Sequence, residues 1–309
     1  MIRASSAYKT MANLVKGNIR STGGILQRRL DTVRGAIAVI QMTSGPDVAA
    51  NLAETRRLVA HAAASGAGLI VLPENFALMG VREEDKLAAA EPAGAGPLQD
   101  LLAELATRHH VWIVGGTVPL ASSDSDRAHA ACLLYDERGE CVARYDKMHL
   151  FDVMLENGER YLESRTTIAG DRIVVADTPW GRLGLAVCYD LRFPGMFRAM
   201  LDHGAEIIAL PAAFTAVTGR AHWEVLLRSR AIENQCFVAA AAQSGMHGNG
   251  RETWGGSMIV DPWGSVIERL ERGAGAVCAP CDREQLQRIR RSFPVLDHRR
   301  ELDRASGRS

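Results

Sequence analysis

Short apolar runs alternate along this chain with longer stretches in which apolar positions follow a helical period. The first such unit predicts a buried strand at Ala36–Gln41, a helix at Val48–Ala64 and a second buried strand at residues 69–72. Either Asp47 or Asn51 can cap the helix, because both side chains can accept a hydrogen bond from a free backbone N–H. A strand, a helix and a strand with short connections predict parallel pairing and a right-handed crossover.

The same alternation continues along the chain and predicts an α/β protein. Residues 153–170 are an exception, since they show no clear period and are predicted to be irregular. The further predicted elements are a helix at 97–108, a strand at 112–118, a hairpin of 131–135 and 141–145, strands at 173–176 and 183–187, a helix at 196–202, a strand at 206–210, a helix at 222–235, strands at 237–242, 257–260, 266–270 and 274–279, and a helix at 283–291.

Residues 1–34 differ from the rest of the chain, with seven basic residues, one acidic residue and no strong apolar period. Such a composition is typical of an organellar transit peptide and equally of a disordered tail. We therefore predict a basic N-terminal extension at 1–34, a single folded domain at 35–286 and a polar tail at 287–309.

The composition of the chain limits the compartments in which the protein is expected and the classes of partner that it is expected to bind. The chain has 309 residues, of which 47% are hydrophobic, and it carries 36 basic and 36 acidic residues, so that no overall field favours nucleic acid or an anionic membrane. No apolar run approaches the length needed to span a bilayer. Six dispersed cysteines favour a reducing compartment, which we expect to be the cytoplasm, or the mitochondrion if residues 1–34 are a transit peptide.

Three polar side chains follow predicted strands at the points where ligand chemistry occurs in α/β sheets. They are Glu74, Lys147 and Cys188. A cysteine in an apolar strand usually serves packing, and a thiol needs a neighbouring base before it becomes a nucleophile. A carboxylate can supply that base, and an ammonium together with the Tyr189 N–H can stabilise an oxyanion. If these groups meet in space, they can carry out nucleophilic catalysis.

The three surrounding motifs are LPEN at Glu74, YDKMHLFD at Lys147 and LAVCYDLRFP at Cys188. In this order they resemble the carbon-nitrogen hydrolase (nitrilase) superfamily, with its Glu-Lys-Cys triad. The resemblance implies a four-layer α-β-β-α sandwich and a reaction that needs neither a metal nor an organic cofactor. It also implies a second glutamate beside the triad, which Glu163 matches better than Glu156, and a homodimer or higher homo-oligomer formed through the cysteine-bearing helix and its neighbour.

Further segments, at residues 214–215, 218–224, 228–243 and 293–300, resemble the branch of the superfamily that hydrolyses deaminated glutathione. The implied reaction splits the amide between a 2-oxoglutaryl group and cysteinylglycine through a thioester on Cys188. Arg220 departs from this branch, which commonly has proline there. The alternatives are an omega-amidase acting on 2-oxoglutaramate, an N-carbamoyl-amine hydrolase, a non-catalytic scaffold and a thiol redox sensor.

Candidate substrate-binding residues surround the same motifs: Tyr189, Arg192, Phe214, Thr215 and His222. The Arg192 guanidinium suits a substrate carboxylate, and a structural salt bridge to Asp190 or another acid is the alternative. We expect His222, like His149, to support the site through hydrogen bonds rather than to catalyse.

Cys278 and Cys281 have the spacing of half a zinc site. Neither a second cysteine pair nor a histidine pair follows them, so no metal site is expected there.

Overall fold

The computed structural model describes residues 35–154, 158 and 160–300. The predicted extension at 1–34, the alternative glutamate Glu156 and residues 301–309 of the predicted tail lie outside the described residues.

The described part of the chain alternates between strands and helices, as the pattern predicted. In chain order these elements are β1 (Ala36–Gln41), α1 (Val48–Ala64), β2 (Ala67–Val71), α2 (Asp85–Ala88), α3 (Pro97–His109), β3 (Trp112–Val114), β4 (Val118–Ala121), β5 (Ala128–Tyr135), β6 (Cys141–Asp146), β7 (Asp152–Met154), β8 (Arg160–Leu162), β9 (Thr167–Ile168), β10 (Val174–Thr178), β11 (Gly181–Leu185), α4 (Pro194–Asp202), β12 (Ile207–Ala212), α5 (Ala216–Asn234), β13 (Phe237–Ala242), β14 (Ser244–Met246), β15 (Glu252–Trp254), β16 (Ser257–Val260), β17 (Val266–Leu270), β18 (Gly275–Pro280) and α6 (Arg283–Ser292). Two 3₁₀ turns, Glu163–Arg165 and Cys188–Arg192, lie between them.

The first sheet has the order β18-β1-β2-β3-β5-β4, and β6 and β9 also pair with β5. β1, β2 and β3 run parallel, which confirms the pairing predicted from the first strand-helix-strand unit. Asp47 is the cap of α1, because its side chain accepts a hydrogen bond from the Ala50 N–H. Asn51 instead binds Gly45 and the carbonyl of Ala77, so it ties the helix to the loop after β2.

The second sheet has the order β10-β11-β12-β13-β16-β17, with β11, β12 and β13 parallel. The two sheets pack face to face through β1, β2, β12 and β13. Side chains of β1 alternate between two cores. Ile37 and Val39 share a core with Val238 of the second sheet, whereas Ala38 and Ile40 pack with the side chains of α1 and α3.

Helices α4 and α5 cover the other face of the second sheet, where Phe197 and Trp223 are fully buried. The layers are therefore helix, sheet, sheet and helix, which confirms the predicted four-layer sandwich. Among the described residues, no helix is both long enough and apolar enough to cross a membrane.

The segment at 153–170, predicted to be irregular, instead contains β7, β8, a 3₁₀ turn and β9. These elements have only two or three residues each, so they are too short to show a hydrophobic period. Helix α5 begins earlier than predicted, because the Thr215 side chain accepts a hydrogen bond from the Thr218 N–H and caps it.

Helix α6 crosses the boundary predicted between residues 286 and 287. Its Leu286 is fully buried, and its Arg290 donates hydrogen bonds to the carbonyls of Gln235 and Ala205. These contacts attach the whole helix to the preceding domain.

Candidate active site

Glu74 lies in a turn just after β2, where the backbone is held on both sides. Asn75 has a φ of +56°, and its N–H donates to the Thr117 hydroxyl over 2.9 Å. The Gln243 amide donates to the Glu74 carbonyl over 3.0 Å. Because both partners come from distant parts of the chain, the direction of the Glu74 side chain is set by tertiary contacts.

Lys147 joins two carboxylates at the base of a pocket. Its Nζ donates to Glu74 Oε1 at 2.7 Å and to both oxygens of Glu163 at 2.9 Å. The strand before Lys147, β6, is at least partly exposed except at Tyr145, its only buried residue. The Lys147 side chain is nevertheless only 2% exposed, because the following segment turns into the pocket.

The charges of this cluster stabilise one another. Burial by itself lowers the pKa of Lys147, but the carboxylates of Glu163 and Glu74 outweigh it and raise that pKa well above its ordinary value. Burial raises the pKa of Glu163, yet Lys147 and the N–H of Phe151, which donates to it over 2.7 Å, bring the net pKa below its ordinary value. At neutral pH the cluster therefore holds the Lys147 ammonium ion beside the ionised carboxylate of Glu163.

Cys188 begins the 3₁₀ turn that follows β11 and has a φ of +48°, which is unusual for a residue with a side chain. The turn directs its Sγ to the pocket, where the N–H of Ala213 approaches it at 3.5 Å. Burial, and then the charge of Glu74, raise the pKa of the thiol well above its ordinary value. The resting side chain is thus a thiol, which needs a base before it can attack.

Asp190, two residues after Cys188, connects the cysteine turn to the lysine segment. It is fully buried and accepts hydrogen bonds from the Val187 N–H at 2.8 Å and the Tyr145 hydroxyl at 2.6 Å. Its other oxygen accepts from the His149 N–H at 3.1 Å and lies 2.7 Å from His149 Nδ1. His149 also stacks on a neighbouring ring and is not among the residues lining the pocket, as expected of a supporting residue.

The pocket has a volume of about 940 Å³, counting the part that is open to solvent. Four of the five candidate substrate-binding residues line it: Tyr189, Arg192, Phe214 and Thr215. His222 does not line it and lies behind Arg192, with its Nδ1 3.2 Å from Nη1 of that arginine.

The guanidinium carbon of Arg192 lies 5.1 Å from the Phe214 ring and 5.9 Å from the Tyr189 ring. No carboxylate in the described part of the chain forms a salt bridge with Arg192, so the alternative of a structural pair with Asp190 is wrong. Asp190 has its hydrogen-bonding capacity occupied by Val187, Tyr145 and His149 instead.

Sequence reasoning missed several side chains of the pocket, among them Lys86, His129 and Arg251. None of them lies in a motif or at the end of a long apolar strand. Arg251 follows the glycine-containing turn HGNG, and a turn of this kind has no hydrophobic period from which the burial of its residues could be predicted. Within residues 35–154 and 160–300, no group of three or more His, Cys, Asp or Glu side chains is arranged to hold a metal ion.

A four-layer sandwich with a buried cysteine, lysine and glutamate in one pocket defines a class of hydrolases. The chain belongs to the carbon-nitrogen hydrolase family, which matches residues 36–291. It is 47% identical over 266 residues to the deaminated glutathione amidase of Yersinia enterocolitica, covering 85% of this chain and 92% of that protein. It is 41% identical over 268 residues to the human deaminated glutathione amidase, covering 85% of this chain and 82% of that protein.

Solved structures agree with the fold. The Caenorhabditis elegans NitFhit protein superposes with a TM-score of 0.79 at 37% identity, covering 86% of this chain and 65% of that longer chain. Nit3 of Saccharomyces cerevisiae, a member of branch 10 of the nitrilase superfamily, superposes with a TM-score of 0.78 at 28% identity, covering 86% of this chain and 96% of that one.

Proposed function

We propose that this hydrolase cleaves the amide of deaminated glutathione into 2-oxoglutarate and cysteinylglycine through a thioester on Cys188. The observation that carries the proposal is the cluster of Cys188, Glu74 and Lys147 in one pocket of a chain that is 41 to 47% identical to amidases of that name. A thiol beside a carboxylate and an ammonium has the groups that acyl transfer requires.

In the first half of the reaction, Glu74 takes the proton from the Cys188 thiol and Sγ attacks the amide carbon. The C=O electron pair moves to oxygen, and the resulting oxyanion is stabilised by Lys147 and the Tyr189 N–H. Glu74 then gives its proton to the amide nitrogen, the C–N bond breaks, and cysteinylglycine leaves as an amine. The 2-oxoglutaryl group remains on Sγ as a thioester.

In the second half, Glu74 accepts a proton from a water molecule while the water oxygen attacks the thioester carbon. The C–S bond breaks, 2-oxoglutarate leaves, and the sulfur recovers a proton from Glu74. Glu163 acts on this cycle through Lys147, since its carboxylate holds the ammonium beside Glu74 with two hydrogen bonds of 2.9 Å. No step calls for a metal or an organic cofactor.

Intact-mass spectrometry with deaminated glutathione, for the unsubstituted protein and Cys188→Ala, tests the proposal. We expect cysteinylglycine release, and an adduct with the mass of a 2-oxoglutaryl group on Cys188, only with the unsubstituted protein. Turnover of 2-oxoglutaramate but not of deaminated glutathione would indicate an omega-amidase, and turnover of an N-carbamoyl amine alone would indicate that hydrolase. No turnover of any amide would favour a scaffold, or, if Cys188 were trapped in a disulfide, a redox sensor.

We also propose that the protein forms a homodimer through α4 and α5. Three apolar side chains of α5 are strongly exposed: Val217 (56%), Val225 (64%) and Ile232 (47%). They recur about every two helical turns and so share one face of the helix. Exposed apolar residues aligned in this way are typical of a protein interface.

We also propose a cellular compartment for the protein and a boundary for its N-terminal extension. All six cysteines are free, which supports a reducing compartment, either the cytoplasm or, with residues 1–34 as a transit peptide, the mitochondrion. We propose that residues 1–34 form an extension separate from the hydrolase domain.

A further inference from the structure

Arg251 is a charged side chain of the pocket that takes no part in the steps proposed above. It lies just before β15, at the end of a turn that is fixed by His247. The His247 N–H donates to the Arg251 carbonyl over 2.9 Å, and the buried His247 ring lies 2.8 Å from the Ser44 carbonyl and 2.7 Å from the Thr253 hydroxyl. The backbone that carries Arg251 is therefore held from three directions.

The guanidinium of Arg251 has hydrogen-bonding capacity left over. One of its nitrogens, Nη2, donates to the Ala213 carbonyl, and its central carbon lies 5.1 Å from the Tyr161 ring. The Nε atom is buried and has no hydrogen-bond partner among the residues that the structure describes. No carboxylate in the described part of the chain pairs with this guanidinium, in contrast to Lys147 and to Lys86, whose Nζ lies 2.9 Å from Glu83.

Ala213 links this guanidinium to the nucleophile through two hydrogen bonds. The Ala213 carbonyl accepts from Arg251, while the N–H of the same residue approaches Cys188 Sγ at 3.5 Å. Both Arg251 and Cys188 line the pocket. A charged planar donor that lacks a counter-ion in a pocket is suited to a carboxylate, which it can bind through two parallel hydrogen bonds.

The proposed substrate has two carboxylates, one at each side of the scissile amide. One belongs to the 2-oxo acid end and the other to the glycine end. Arg192, the other pocket arginine without an acidic partner among the described residues, can form a paired contact with one of them at a time. The second carboxylate then requires another cation on the pocket wall.

We propose that Arg251 is a specificity-determining residue that binds a substrate carboxylate and so places the scissile carbonyl against Cys188. This inference rests on the proposed function for the identity of the substrate, and the site itself requires only a ligand with a carboxylate. A neutral amide of similar shape would leave the Arg251 guanidinium, whose Nε atom is buried, without a carboxylate partner, so that the site discriminates against it.

The first test compares steady-state kinetics of Arg251→Met and Arg251→Lys with those of the unsubstituted protein, using deaminated glutathione and 2-oxoglutaramate. The loss of a charge-assisted pair predicts a rise in KM of about tenfold to a hundredfold for Arg251→Met, with a smaller change in kcat. If the rise occurs with both substrates, Arg251 binds the 2-oxo acid end. If it occurs with deaminated glutathione alone, Arg251 binds the glycine end.

Arg272→Met is the matched control. Arg272 also lies by an aromatic ring, at 5.8 Å from Trp254, but it is outside the pocket, so its loss should leave both KM values unchanged. A purely structural role for Arg251, as a brace for Ala213, makes the opposite prediction: kcat falls for every substrate while KM stays the same. That result would overturn the inference.

A second test does not depend on turnover. The rate at which uncharged iodoacetamide alkylates Cys188, followed by peptide mass spectrometry, is measured with and without 2-oxoglutarate or alanylglycine as protecting ligand. We expect one of the two to protect the unsubstituted protein at concentrations about tenfold below those that protect Arg251→Met. Lack of turnover of deaminated glutathione alone would refute the proposed function, whereas lack of protection by either carboxylate would refute the role of Arg251.

Discussion

Replacing Lys147 with methionine removes the ammonium ion that both site carboxylates share. The bonded oxygens of Glu74 and Glu163 lie 2.7 and 2.9 Å from Nζ. Two unit charges about 5 Å apart repel by about 3 kcal/mol at an effective dielectric constant of about 20, which corresponds to a pKa rise of about 2 units. We therefore expect the carboxylate pair of Lys147→Met to take up a proton at a higher pH than in the unsubstituted protein.

The pH profile of Cys188 alkylation by iodoacetamide measures this change directly. If a protonated Glu74 no longer accepts the thiol proton, the profile of Lys147→Met moves to higher pH by about 2 units. The loss of the positive charge beside Sγ acts in the same direction, because Lys147 lowers the pKa of the Cys188 thiol. Turnover at neutral pH falls by about a thousandfold or more, since an oxyanion donor is lost as well.

The double variant Lys147→Met with Glu163→Gln is the control for this reasoning. It removes the repulsion between the carboxylates, so the alkylation profile should return part of the way while turnover stays low. A buried ion pair that is broken on one side costs about 3–5 kcal/mol of stability, so Lys147→Met by itself can lose its fold. The double variant removes one of the two unpaired carboxylates and so provides a comparison that is expected to fold. An alkylation profile of Lys147→Met that coincides with that of the unsubstituted protein would refute the role assigned to Lys147.

Two further predictions concern the support of the site and the assembly. Asp190→Asn places an NH₂ group or a weaker acceptor against donors at 2.6 to 3.1 Å, so we expect a loss of about 2–4 kcal/mol in the free energy of unfolding, measured by denaturant titration, together with lower turnover. Val225→Asp combined with Ile232→Asp puts charges on the exposed face of α5, so we expect light scattering to show a dimer for the unsubstituted protein and a monomer for the variant.

Each of these has its own control. Asp177→Asn changes an aspartate whose side chain is 89% exposed and should leave stability nearly unchanged. Equal stability of the Asp190 and Asp177 variants would contradict the network drawn around Asp190. Val81→Asp changes an apolar residue that is 58% exposed and lies outside α4 and α5. If this variant dissociated as readily as the α5 variant, or if the unsubstituted protein were monomeric, α5 would not be the interface.

The sequence by itself determined much of the local structure. The strands at Phe237–Ala242 and Ser257–Val260 have the bounds that their apolar runs predicted. Such runs are readable because burial against covering layers selects apolar side chains in continuous stretches. The motifs around Glu74, Lys147 and Cys188 also pointed to one reaction class through their resemblance to the carbon-nitrogen hydrolase superfamily, and a carboxylate and an ammonium can activate a thiol and stabilise an oxyanion.

Only the tertiary structure decided which side chains meet. Lys147 is buried although the strand before it has only one buried residue, and its hydrogen bond to Glu74 joins positions 73 residues apart. His222 contacts Arg192 and does not line the pocket, whereas Arg251 lines it from a turn with no sequence signal. The hydrophobic period of a segment predicts which of its residues face the core. The contacts of the site depend instead on how distant elements pack against one another, and no local pattern encodes that packing.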